Sequence, residues 1–406
     1  MKPKILCFIF FILAFAQAGS SQNSVSYSVP AEQWEEKFGN HRAIIKVDSP
    51  ADAVGIDFLW RRHDAGQEKR RMLIVNAETG TEISNVYRVK IDNERCELVF
   101  GPVDKAGKYY FYYLPYTPVT NFYHSGEYLP VENAPDATWV NAHKLTDGPV
   151  KYANVSRATI TDIQARTEFH SFYPMEVIPT TDELKNFLGQ QKNEYLIFAE
   201  DRAFPIRMPD AIPHRWIQRS ISESFMGKAL KNEYYSFQIG IYAYQNPVEN
   251  IKLEFSDLIS KNGDRISHHA FTCFNTDGVD IDGKPFTKRV TVKQGRVQPL
   301  WVGTDIPAEA VPGTYEGVIT VKPENLQEQK VKVILTIVNK VIADRGDSEP
   351  WRHSRLRWLN STLGIDDEPV APYTPLIVDK QKISCLGRSV QLNNYGFPEV
   401  INSWGQ

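Results

Sequence analysis

Three consecutive acids, Asp366-Asp367-Glu368, come nearest in type and spacing to a reaction centre. Glycoside cleavage places two carboxylates on either side of a bond, about 5 to 5.5 Å apart for retention and roughly 6.5 to 9.5 Å for inversion. Neighbours in extended chain point to opposite faces, whereas Asp366 and Glu368 share one face about 7 Å apart, so the spacing permits a pair. The same stretch carries Arg352, Arg355 and Arg357. Asp366 or Asp367 can pair with one of them and hold an irregular loop against a neighbouring domain, because ion-pair networks and active sites look alike in sequence; this structural role is the expectation. Trp351 and Trp358, close to His353, can offer a face to a sugar ring or pack into a domain interface. The nine residues from Trp351 to Glu368 named above form a candidate interface or glycan contact, and none is assigned a catalytic role.

Other chemistry-bearing clusters carry less. Glu200-Asp201-Arg202 follows a strand and reads as a turn cap. The run 275–283 has calcium-like oxygen groups at Asp277, Asp280 and Asp282, but an EF-hand register puts Gly278 and Arg289 where acids are required. It reads as a polar turn, and His268-His269 reads as surface. No metal or cofactor is expected. Nucleophile-elbow, phosphate-loop, His-Glu-x-x-His and paired Cys-x-x-Cys motifs are all missing from the sequence, which favours binding or scaffolding. Trp60, Trp301 and Phe237 read as core.

The elements that would position these groups are mainly β. Strand signals at 42–47, 54–60, 72–75, 86–91, 96–100 and 108–114, separated by turn chemistry, predict an N-terminal sandwich over 24–116. A short helix at 30–38, stopped by Gly39, precedes them. Residues 117–217 read as an irregular connector with one helix at 182–193, with Thr180 as its N-cap and Glu183 three residues on as a capping box. Strand signals at 234–244, 251–255, 290–292, 297–302, 314–321 and 330–338 predict a second sandwich over 218–340. A linker and an incomplete third β unit fill 341–406. The fold class is thus two consecutive immunoglobulin-like β-sandwiches with a mixed connector and the start of a further β unit.

Lys2 and Lys4, an apolar run over 5–15 and Ala16-Gln17-Ala18 have the layout of a secretory signal peptide cleaved after Ala18. The run is too short to span a bilayer, so a periplasmic or secreted location is expected. Cys96, Cys273 and Cys385 then remain, and an odd number spread over three regions implies no disulfide framework. The net charge of −3, with both signs interspersed, offers no footprint for nucleic acid or an anionic membrane.

Three stretches carry a family resemblance: 232–240 (Asn-Glu-Tyr-Tyr-Ser-Phe-Gln-Ile-Gly), 306–317 (Ile-Pro-Ala-Glu-Ala-Val-Pro-Gly-Thr-Tyr-Glu-Gly) and 353–369, the last being the most distinctive. Together they resemble the N-terminal region of secreted bacterial proteins similar to glycoside hydrolase family 123. The resemblance implies β-sandwich modules ahead of a TIM-type barrel, exo-acting β-N-acetylgalactosaminidase activity, and an adjacent Asp-Glu pair working with the substrate's acetamido group. The chain departs from that pattern after its sandwiches, because eight strand-helix units need about 250 residues. Asp367-Glu368 follows no barrel strand and is not given that role. The implied function is the non-catalytic, accessory portion of such a hydrolase, with its barrel supplied in cis or from an adjacent reading frame and a glycan as possible partner. Two alternatives stay open: a stand-alone secreted glycan-binding or surface-interaction protein, and a glycosidase using Asp366 and Glu368.

Overall fold

A computed structural model describes residues 25–117, 126–146, 155–222, 224–366 and 368–404. The signal-peptide segment 1–18 and Asp367 lie outside the described residues. The chain is mainly β, 42% strand and 14% helix, and divides into two units: residues up to Trp60 with Asp64–Phe172, and Arg61–His63 with Tyr173–Gln406. Among the described residues no sheet closes into a barrel, and no helix is long and apolar enough to cross a membrane.

In the first unit a five-stranded sheet runs Ser26–Ser28, Thr159–Ala165, His41–Val47, Gly107–Tyr112, Leu73–Asn76. A four-stranded sheet, Ser156–Arg157, Val54–Leu59, Arg95–Gly101, Asn85–Ile91, supplies the other layer. All six strands expected here are present. Alternation explains the layering: Ala43, Ile45 and Val47 from one sheet and Val54, Ile56, Phe58, Leu98 and Phe100 from the other enter one core, as period-two side chains must. Thr159–Ala165, in the stretch read as connector, pairs antiparallel with His41–Val47.

The helix expected at 30–38 is a single 3-10 turn, Glu36–Phe38. A segment this short has little helical stability of its own, and its aromatics find better contacts in an extended path. The Trp34 indole N–H donates to the Gly39 carbonyl at 2.7 Å, Phe38 stacks on Tyr112, and the Arg42 guanidinium lies over the rings of Trp34 and Tyr110.

The second unit also has two principal sheets. One orders Leu196–Asp201, Tyr234–Tyr242, Val297–Asp305, Phe271–Cys273; the six-stranded other runs Ser224–Lys231, Gln329–Val341, Gly313–Lys322, Leu258–Ser260, Arg265–Ile266, with Lys252–Phe255 also on Gly313–Lys322. Every residue of Tyr234–Tyr242 is buried. Its odd positions Tyr235, Phe237, Ile239 and Ile241 enter the core between the sheets with Val331, Val333, Leu335 and Ile337. The opposite face is covered by Met175, Phe187, Ile206, Ile212 and Trp216, and a Cβ at Gly240 would come within 2.8 Å of the Trp216 ring. The expected strand at 290–292 reduces to an isolated bridge, Val248 to Val292. Trp301 is only partly buried, not core, because it sits on the face opposite Leu300 and Val302 and meets the His353 ring at 5.1 Å.

The C-terminal strands form a four-stranded antiparallel meander, Ile377–Asp379, Lys382–Cys385, Arg388–Leu392, Pro398–Ser403. Within the β unit expected in 341–406, the stretch 382–392 folds back on itself at Leu386-Gly387, both with positive φ, the conformation of a tight hairpin turn. Registry lines up Val378, Ile383, Val390 and Ile401 across the four strands, with Val378 and Ile401 exposed.

Helix Thr181–Gly189 begins as expected: Thr180 accepts from the Glu183 N–H and the Glu183 side chain returns to the Thr180 N–H. Glu183 also takes a two-pronged contact from Arg61, at 2.6 and 2.8 Å. That guanidinium, with the Thr180 N–H, holds the Glu183 carboxyl down from 4.5 to about 2, against partial desolvation. A depressed folded-state value stabilises above the unfolded value, and the contribution is lost as pH falls through the folded one. Denaturant midpoints measured from pH 6 downward are therefore expected to drop more steeply between pH 4.5 and about 2 for the wild type than for Glu183→Gln. Parallel profiles would refute this role.

Candidate functional site

The segment 343–360 is a chain of 3-10 turns, Ala343–Gly346, Pro350–Arg352 and Ser354–Asn360. Positive φ at Asp344, Arg345, Gly346 and His353 reverses its direction repeatedly, which is why no helical or strand period shows there. Docking onto the second unit fixes its path. Asn232 Nδ2 donates to the Ile342 carbonyl at 2.7 Å, and Ser236 Oγ to the His353 carbonyl at 3.2 Å.

At the centre of this docking lies Glu233, whose side chain is 0% exposed. Its Oε1 accepts from Arg202 Nη1 at 2.5 Å and from Arg352 Nη1 at 2.9 Å, and its Oε2 from the Leu230 N–H at 2.7 Å. Arg202 and Arg352 are themselves buried, at 4% and 9% exposure. Arg352 reaches Glu349 as well, at 2.9 Å, and Trp351 lies beside both guanidinium groups, 5.0 and 4.3 Å from its ring centre. Burial, with Arg202 nearby, holds the His353 imidazole below its ordinary value.

Asp347 organises the next turn. Its carboxylate pairs with Arg357 and accepts from Trp358 Nε1 at 3.1 Å, while its carbonyl accepts from Arg355 Nε at 2.8 Å. Beyond it opens a cleft of about 510 Å³ whose lining includes Tyr234, Arg357, Trp358, Asn360, Thr362 and Asp366. Arg345, paired with Asp305, forms part of the wall.

The structure therefore gathers Trp351, Arg352, His353, Arg355, Arg357 and Trp358 into one docked segment. The acids behave differently. Asp366 lies at the cleft, but its Oδ1 accepts the Glu368 N–H at 3.1 Å, and both residues are exposed. The expected pairing of Asp366 with the arginines does not form: Arg352 and Arg357 take Glu233 and Asp347 instead, both nearer in space and less exposed. Asp367 is outside the described residues.

Glu233 and Asp347 were missed in the sequence. Glu233 heads a run of nine buried residues, and an acid abutting such a strand is the one available signal. The cap assigned to Glu200-Asp201-Arg202 is incomplete. Arg202 serves the buried pair, and Glu200, buried, accepts from Trp216 Nε1 and Arg219, each at 3.0 Å. Among the described residues no cluster of His, Cys, Asp or Glu could hold a metal. Asp280 instead closes its own turn by accepting from the Asp282 and Lys284 N–H groups.

Residues 32–166 match the family model described as Glycoside hydrolase 123, N-terminal domain, and residues 276–323 a second model, Glycoside hydrolase 123 N-terminal domain. The chain carries a family-123-like N-terminal region. Among solved structures, a family 123 glycoside hydrolase from Clostridium perfringens, studied for glycolipid glycan hydrolysis, is 19% identical over 36% of this chain and 27% of its own, with a TM-score of 0.29. This chain thus spans about a quarter of that protein. PapD-like domain 7 of human CEP192 is 10% identical over 30% of this chain and 84% of its own, TM-score 0.21. The CupB6 tip adhesin of Pseudomonas aeruginosa is 10% identical over 74% and 87%, TM-score 0.20. No curated protein matches the chain.

Glu233 ties the docked segment to Arg202 within the second unit, which gives a direct test. Glu233→Ala leaves Arg202 and Arg352 buried without their carboxylate, a loss expected to cost about 3–5 kcal/mol. Urea denaturation should show this drop, with faster proteolysis in 343–360, while Asp366→Ala stays within about 0.5 kcal/mol of wild type. Equal stability of the two variants would contradict the docking role.

Proposed function

We propose that the chain is the accessory, non-catalytic N-terminal portion of an exported family-123-like glycoside hydrolase. The observation that carries this reading is the pair of family matches, one lying almost entirely in the first unit and one in the second. In this reading the signal peptide ends at Ala18, the mature chain is periplasmic or secreted, and a catalytic barrel works with it in cis or from an adjacent reading frame. The segment from Trp351 to Glu368 is then a joint, held on the second sandwich by Glu233 and Asp347. The meander that follows aligns Val378, Ile383, Val390 and Ile401. A sheet with one such apolar row is stable when that face is covered, and the catalytic domain would supply the cover.

A glycosidase built on Asp366 and Glu368 has less support, since the pair sits on an exposed turn and Asp366 spends an oxygen on a backbone N–H. Purified, folded chain is expected to release no aryl alcohol from aryl β-N-acetylgalactosaminide or other aryl β-glycosides. Turnover that disappears in Asp366→Asn or Glu368→Gln would overturn the proposal.

A further inference from the structure

The cleft beside Trp358 has chemistry that the joint does not use. Half of Trp358 is exposed, at 52%, yet its ring is not free to swing. Nε1 is tied to Asp347 at 3.1 Å, and the Arg355 guanidinium sits 5.2 Å from the ring centre. A tethered aromatic surface loses little entropy when a ligand stacks on it. Around it the lining is polar: the amide of Asn360, the hydroxyls of Ser361 and Thr362, and the carboxylate of Asp366. The cleft, of about 510 Å³, is more open to solvent than enclosed and can take one face of a ligand.

Charge narrows the ligand class. The two arginines at the cleft are each paired, Arg345 with Asp305 and Arg357 with Asp347, and Asp366 adds a further negative charge. Among the described residues that line the cleft no cation is left unpaired for a phosphate, sulfate or uronate, and Arg355, beside Trp358 but outside the lining, is held by the Asp347 carbonyl; the polar lining disfavours an aliphatic chain. Next to the lining residue Asp366, Ile365 packs near Gly283, at the tip of the hairpin formed by Asp277–Val279 and Pro285–Thr287, where φ is +76 and a Cβ would meet Ile365 at 3.4 Å.

We propose that this cleft binds a neutral saccharide, with one sugar ring stacked on Trp358 and its hydroxyls held by Asn360, Thr362 and Asp366. Recognition rests on the local chemistry of the cleft and does not require a catalytic domain, so it can fail or succeed independently of the accessory-domain reading. The test is an array of neutral and acidic oligosaccharides probed with the full mature chain, followed by calorimetric titration of the retained glycan. Retention of neutral glycans is expected, weakened about tenfold or more in Trp358→Ala and also in the surface variants Asn360→Ala and Thr362→Ala. The control Phe169→Ala, in the other unit, should bind as wild type, with thermal melting confirming that all variants fold. No retention of neutral glycans, retention of acidic glycans alone, or binding indifferent to Trp358 and Asn360 would each overturn the proposal. Hydrolysis by the chain would count against the accessory-domain reading while leaving this one standing.

Discussion

A carboxylate with no exposure, shared between two buried guanidinium groups, is the constraint around which the second unit is arranged. Glu233 lies where strand Ser224–Lys231 turns into strand Tyr234–Tyr242, and desolvating it alone would cost several kcal/mol. Arg202 comes from the end of the neighbouring strand and Arg352 from a segment more than a hundred residues later. Neutralising the acid therefore obliges three distant stretches of chain to meet. Such a network contributes little net stability compared with apolar packing. Its physical consequence is geometric, because the 343–360 segment has one docked position in which the charges are paired.

That position sets the surface of the cleft. Once Arg352 is seated, the left-handed residue His353 turns the chain past Trp301, and the following 3-10 turn delivers Arg357 and Trp358 to Asp347. The tryptophan is left half exposed but tethered. Trp351 spends its ring on the guanidinium groups of Arg202 and Arg352, so two tryptophans with similar sequence surroundings end in different roles.

Much of the β architecture was legible because burial on one face imposes a period of two. Strands such as Gln329–Val341, with Val331, Val333, Leu335 and Ile337 inside, and the hydrophobic runs of the first unit declared themselves that way. The capping box at Thr180 was legible because both partners are local. Strand Ser224–Lys231 was not, since its residues alternate weakly and it is defined by parallel pairing with a strand a hundred residues away. The helix expected at 30–38 failed for the same reason in reverse: local spacing fitted, but Trp34 and Phe38 gained more from Arg42 and Tyr112 than from a helical turn.

By itself the sequence determined the class of fold, the family resemblance and the stretch in which charge and aromatic groups concentrate, because each is written in local pattern and composition. Only the tertiary structure decided which acids those arginines meet. Asp366 was the acid expected to pair with them, yet Glu233, more than a hundred residues away, took Arg352, and Asp347, as close along the chain as Asp366, took Arg357. A buried or half-buried carboxylate has lost its water and must be paired, whereas an exposed one keeps its hydration and has less to gain.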